Sequence, residues 1–172
     1  MNNQAMPASA DLPAMYLWAQ GIMAREPDFV IGDDYLRRWY VLPRNPWLNL
    51  YLHQIRKSDD DRAMHDHPWA NTSFLIDGCY TEHTPDGVFE RNEGDVVSRE
   101  AGALHRIELP PGSWAISLFA TGPKVREWGF ACAQGWVHWA DFTDPANMGA
   151  VGRGCGEHDA PTRIAPIGRL PT

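Results

Sequence analysis

The sequence predicts an all-β protein, an antiparallel barrel or sandwich, and three observations carry that expectation. Beyond residue 35 the apolar residues recur with a period of two over short stretches. Clusters of Pro, Gly, Asn, Asp and Ser punctuate these stretches at regular intervals. Almost no helical pattern lies between them, and parallel strands would need helical crossovers.

The first element is the exception. Over residues 11–26, Leu12, Met15, Leu17, Trp18, Ile22 and Met23 fall near helical spacing, with Pro13 tolerated in a first turn and Pro27 closing the run. One amphipathic helix is expected to pack on the outside of the β core. Strands are predicted over residues 35–42, 48–56, 72–82, 95–99, 104–109, 114–120 and 127–132. Turn chemistry separates them at Pro43-Arg44-Asn45-Pro46, Ser58-Asp59-Asp60-Asp61, Thr84-Pro85-Asp86-Gly87, Pro110-Pro111-Gly112-Ser113 and Thr121-Gly122-Pro123. From Pro145 onward Gly and Pro dominate, too little apolar surface to fold alone. The expected organisation is a helical extension over 1–28, a β-barrel over 29–143, and a tail over 144–172 packed on the barrel or disordered.

With 172 residues the chain suits one domain with a core of its own. The 15 basic side chains against 22 acidic ones give a net charge of −7, which argues against nucleic acid as a partner. No stretch approaches the roughly 18 apolar residues of a membrane span. Cys79, Cys132 and Cys155 are widely and irregularly spaced, which reads as reduced thiols in a cytoplasmic protein.

The most informative residues are His65-Asp66-His67 and, far downstream, His105. Two histidines at i and i+2 of an extended segment point the same way, so a β fold that brings in the third lets three imidazoles converge on one metal. The spacing resembles the cupin superfamily, whose two motifs read G-x5-H-x-H-x3,4-E-x6-G and G-x5-P-x-G-x2-H-x3-N. His65 and His67 match the first motif, Gly78 falls in register, and Gly94, Gly102 and His105 match the second. Asp59 stands at the leading glycine, Asn71 at the glutamate, Glu100 at the proline and Leu109 at the final asparagine. The stretch from His65-Asp66-His67-Pro68-Trp69 through Gly122-Pro123 to Trp128-Gly129-Phe130 is similar to small bacterial and phage cupins.

The resemblance implies an antiparallel double-stranded β-helix, the RmlC-like cupin jelly roll. It also implies a divalent transition metal held by His65, His67 and His105, and a homodimer. Neutral imidazoles suit Fe(II), the favoured ion, and also Ni, Mn, Zn or Cu. Asn71 is a candidate fourth ligand or water holder. Asp66 and Glu82 are candidate acceptors for ligand ring nitrogens, although a surface carboxylate is the plainer reading of each.

Strand parity puts Asn71, Ser73, Leu75 and Asp77 on one face, with Glu82 joining them only through a bulge at Gly78. Asn49, Tyr51 and His53 share a face that either lines a pocket or meets solvent. Arg62 and Arg99 are candidates for a substrate carboxylate or phosphate, or structural ion-pair partners. Trp69, Trp114, Trp128, Trp136 and Trp139 suggest an aromatic wall, a core or an interface. The run Asp59-Asp60-Asp61 reads as a solvated turn. Cys132, His138, Cys155 and His158 match no common zinc spacing.

The functional expectation is a mononuclear metalloenzyme, of dioxygenase type or using Lewis-acid chemistry, acting on a small polar molecule. The alternative is a metal-free or structurally metallated barrel that binds a small molecule without catalysis.

Overall fold

The computed structural model describes residues 11–59, 63–147 and 149–156. Helix α1 (Leu12–Met23) starts where the sequence places it: the Asp11 side chain accepts from Ala14 N–H at 3.2 Å and Pro13 occupies the first turn. It lays Met15, Tyr16, Ala19, Ile22 and Met23 on one face of a large sheet, against Trp39, Leu52, Ile76 and Ile116.

That sheet is fully antiparallel. It comprises β1 (Phe29–Ile31), β2 (Leu36–Tyr40), β3 (Asn49–Ile55), β5 (Asn71–Gly78), β8 (Val96–Arg99) and β10 (Ala115–Thr121), in the order β1-β2-β3-β10-β5-β8. Its other face carries Leu36, Ile55, Leu75 and Ala115, which pack with Tyr80, Leu109 and Ile107 of the opposing layer. Alternation along each strand thus divides the core into an outer cluster under α1 and an inner cluster inside the barrel.

The opposing layer is built from two three-stranded sheets. One contains β4 (Met64–His65), β11 (Gly129–Cys132) and β12 (Gly135–His138); the other contains β6 (Tyr80–Thr84), β7 (Gly87–Arg91) and β9 (Arg106–Glu108). A bridge between His65 and His105 joins them, each residue's N–H donating to the other's carbonyl at 2.9 Å. The layer therefore runs β12-β11-β4-β9-β6-β7, and two facing antiparallel layers form the cupin jelly roll that the resemblance implied.

The predicted strand over 72–82 is two strands. Gly78 has φ +83°, and a Cβ there would run into the Trp114 carbonyl oxygen, so the chain turns from one layer to the other at a residue that must be glycine. The parity switch that brings Glu82 inward occurs slightly earlier. In the ladder with β10, Ser117 pairs with Leu75 and Ile116 with Asp77, leaving Ile76 as the extra residue of a bulge.

One sequence expectation is corrected by the cysteines. Cys132 and Cys155 form a disulfide with Cα atoms 5.4 Å apart, so the three thiols are not all reduced and Cys79 alone is free. The cysteines therefore no longer support a reducing compartment, and the bond also removes any zinc site built on Cys132 and Cys155. No helix among the described residues is long and apolar enough to cross a membrane. The described part of the tail folds back: Val151 bridges Thr143, and Gly152 and Gly154 N–H groups donate to the Phe142 carbonyl. After Trp139–Phe142 (α2), this return is closed by the disulfide.

Candidate metal centre

The bridge between His65 and His105 is a hydrogen-bonded antiparallel pair, which sets their side chains side by side on the inner face. Their ring centroids are 4.6 Å apart. His67, two residues on, lies on the same side, its carbonyl accepting from Gly102 N–H at 3.1 Å. Gly102, at φ +85°, leaves no room for a Cβ beside the Arg126 guanidinium. Ligand nitrogens of His65, His67 and His105 all lie within 4.8 Å of one another.

The outer nitrogens of two rings meet carboxylates. His105 Nδ1 lies 3.1 Å from Glu82 Oε1 and His65 Nδ1 lies 3.5 Å from Asp59 Oδ2. A carboxylate accepts and does not donate, so Glu82 holds the His105 proton on Nδ1 and leaves its Nε2 as a lone pair for the centre, while Asp59 acts on His65 through its charge. Burial pushes the His65 pKa down to about 4 against the pull of Asp59, and burial with the neighbouring rings and arginines holds His67 well below its ordinary range. Neutral rings are the metal-binding form.

Glu82 is the anchor of this arrangement. It is fully buried, accepts from Arg91 Nε at 2.8 Å and Arg99 Nε at 2.8 Å, and pairs again with the Arg99 terminal nitrogen. Burial raises its pKa, but the His105 and arginine contacts outweigh that and hold it at about 2. Asp59 is fixed by Ile107 N–H at 2.7 Å and by the Tyr35 hydroxyl.

The residues fit a metal. His67 Nε2 and His105 Nε2 are 3.0 Å apart. Two nitrogens bound to one ion at about 2.0–2.1 Å, at angles between square and tetrahedral, are separated by roughly 2.9–3.4 Å. The cluster sits in a cavity of about 320 Å³ between the two layers. Trp69, Phe119 and Phe130 pack on the histidines, with ring centroids 4.8 Å (Trp69 to His67), 5.9 Å (Phe119 to His67) and 6.1 Å (Phe130 to His65) apart. Ile31, Leu36, Ile55, Ile107 and Val151 extend the apolar wall.

The other predicted residues divide. Glu82 and Asp66 are both buried, not surface carboxylates. Asp66, however, accepts from Gly129 N–H at 2.8 Å and Trp136 Nε1–H at 3.0 Å and pairs with Arg126 at 2.8 Å, which ties β11 and β12 to the His-Asp-His segment. Asn71 is buried, but its amide oxygen takes a long bond from Arg99 at 3.4 Å and its NH₂ has no protein partner. An NH₂ group cannot ligate, and Asn71 is not among the residues lining the cavity. Arg99 reaches the cavity but is engaged by Glu82, while Arg62 lies outside the described residues.

His53 faces the cavity and Tyr51 stacks behind it, ring centroids 5.8 Å apart, so their face of β3 is the lined one. Of the tryptophans, Trp69 and Trp128 line the cavity; Trp114, Trp136 and Trp139 are exposed.

Sequence reasoning missed Asp59, Tyr35 and Arg38. Asp59 is no solvated turn: it is buried beneath His65. Its only signal was its place in the motif's register. Arg38 shares its parity with the core residue Leu36, which marks it as inward.

No protein-family profile matches the chain, and no curated protein does. The chain is similar to a sugar phosphate isomerase of the cupin superfamily from Silicibacter pomeroyi (13% identity, 63% of this chain and 84% of that one, TM-score 0.47). It is also similar to a conserved protein with a double-stranded β-helix domain from Klebsiella pneumoniae (20% identity, 61% and 97%, TM-score 0.45). A third is ectoine synthase from P. lautus (11% identity, 62% and 76%, TM-score 0.46). The likeness is one of fold, and the activities of those proteins stay with them.

Proposed function

We propose that this chain is a mononuclear metalloenzyme acting on a small molecule, with His65, His67 and His105 holding a divalent transition ion, Fe(II) in the favoured case. The observation that supports this is the cluster itself: three converging imidazoles inside an apolar cavity, with His105 held by the buried Glu82 in the tautomer that ligates and the buried Asp59 carboxylate beside His65. A bound ion supplies Lewis acidity and, if iron, dioxygen activation.

The chain's own groups do the rest. Glu82 orients the His105 ring, Asp59 sets a negative charge beside His65, and Arg91 and Arg99 keep Glu82 ionised so that it remains an acceptor. Trp69, Phe119 and Phe130 keep water from the cluster and offer aromatic surface to a bound molecule. Among the described residues no carboxylate joins the three converging imidazoles, which leaves the donor set neutral.

The test is turnover. Protein loaded anaerobically with Fe(II) should consume dioxygen with at least one member of a panel of thiols, diketones and amino-acid derivatives, and His67→Ala should not. No consumption across the panel removes the dioxygenase version. Absence of isomerase and hydrolase activity on the same panel as well leaves a binding barrel without catalysis.

A further inference from the structure

Two guanidinium groups line the cavity, Arg38 and Arg99. Arg99 is neutralised by Glu82. Arg38 has no acidic partner among the described residues: its Nε donates to His53 Nε2 at 2.9 Å, and its guanidinium lies 4.5 Å from the centroid of the Tyr51 ring. Both partners are neutral. The bond also fixes His53, because arginine only donates, so His53 Nε2 carries no proton and the ring is uncharged. Burial and the Arg38 charge both hold the His53 pKa well below its ordinary range, in keeping with this.

A positive charge set into an apolar wall without a counter-charge is costly unless a ligand supplies one. We propose that Arg38, backed by His53, is the anion-receiving subsite of this cavity, and that the ligand is a small monocarboxylate with an apolar body. Nε is occupied, so the two terminal nitrogens remain, and their paired N–H groups match the two oxygens of a carboxylate. No second unpaired cation lines the cavity among the described residues, which suits one negative charge better than a phosphate dianion. The apolar wall and the volume of about 320 Å³ suit a ring or short aliphatic body.

The subsite is near the cluster. Phe119 contacts both His53 and His67, at centroid distances of 5.0 Å and 5.9 Å, so one aromatic ring separates them. A ligand anchored at Arg38 would extend its body toward the histidines. This deepens the functional reading above and rests on it for turnover only; anion binding at Arg38 needs no metal.

The test is calorimetric titration of the full chain, stripped of metal by chelator, with benzoate, benzamide and phenyl phosphate, three ligands sharing one ring. Benzoate should bind roughly 10- to 100-fold more tightly than benzamide. Arg38→Gln should abolish that preference and Arg38→Lys should retain part of it. Equal affinity for benzoate and benzamide, or no binding of either, overturns the proposal, as does a preference that survives Arg38→Gln. Tightest binding of phenyl phosphate overturns the carboxylate assignment. Should Arg38→Gln fail to fold, the wild-type comparison and Arg38→Lys decide. A chain that binds no metal yet prefers benzoate would sink the metalloenzyme reading and leave this one standing.

Discussion

Glu82 faces two arginines and one histidine at once, so its replacement separates charge from shape. Glu82→Gln leaves the buried Arg99 facing a neutral amide, and should cost about 3–5 kcal/mol of folding stability in urea unfolding. It should also weaken metal binding about 10- to 100-fold, since the proton on His105 Nδ1 then faces a neutral amide in place of a carboxylate. Titration of the metal-free protein has a defined sign. The folded-state pKa of His65 is about 4 against 6.5 ordinarily, so the unfolded chain binds more protons between those values and stability falls as pH drops through that window. Glu82, at about 2 against 4.5, contributes stability that is present above 4.5 and lost toward about 2. Urea midpoints should therefore be lower at about pH 5 than at about pH 7.5, with His65 contributing about 2 kcal/mol of the difference. The three histidines were legible because their spacing is local and motif-like. Asp59 and Arg38 were not, because what makes them matter is which distant residues lie across the barrel from them.

At the scale of elements, turns and alternation were legible where every second residue is buried, as at Asn49, Tyr51, His53 and Ile55 of β3 and Ala115, Ser117, Phe119 and Thr121 of β10. Short or exposed strands were not: β4 has two residues and exists through its pairing with β11, and β7 exposes Val88 and Phe89. The break at Gly78 was hidden because a glycine inside an apolar run signals either a bulge or a turn. Gly78→Ala should destabilise the fold by about 2 kcal/mol or more, from the left-handed backbone and the collision with Trp114, readable in thermal melts. The disulfide ties β11 to the returning tail across a sequence separation of 23. Cys132→Ser, or reductant, should lower stability by about 3 kcal/mol on a chain-entropy basis; an unchanged unfolding midpoint would show that the tail adds nothing to the barrel.

For the whole molecule, the all-β class followed from periodicity and turn spacing, and the jelly roll from the register of two motifs. What no linear reading supplied is that His65 and His105 are directly paired, so the residues that suture the two small sheets into one layer are also the candidate ligands. Fold and site are one construction here: the cluster is as rigid as the layer it joins. Because Trp69 packs on His67, binding of a paramagnetic ion such as Ni(II) or Cu(II) should quench tryptophan emission, and Trp69→Phe should remove most of that change. The most direct measurement is elemental analysis of untagged protein, wild type beside His67→Ala, after equal exposure to Fe(II), Ni(II), Mn(II) and Zn(II) and removal of excess ion. About one ion per chain in the wild type and background in the variant is the predicted result. Equal content in the two proteins, or background in both, would contradict it.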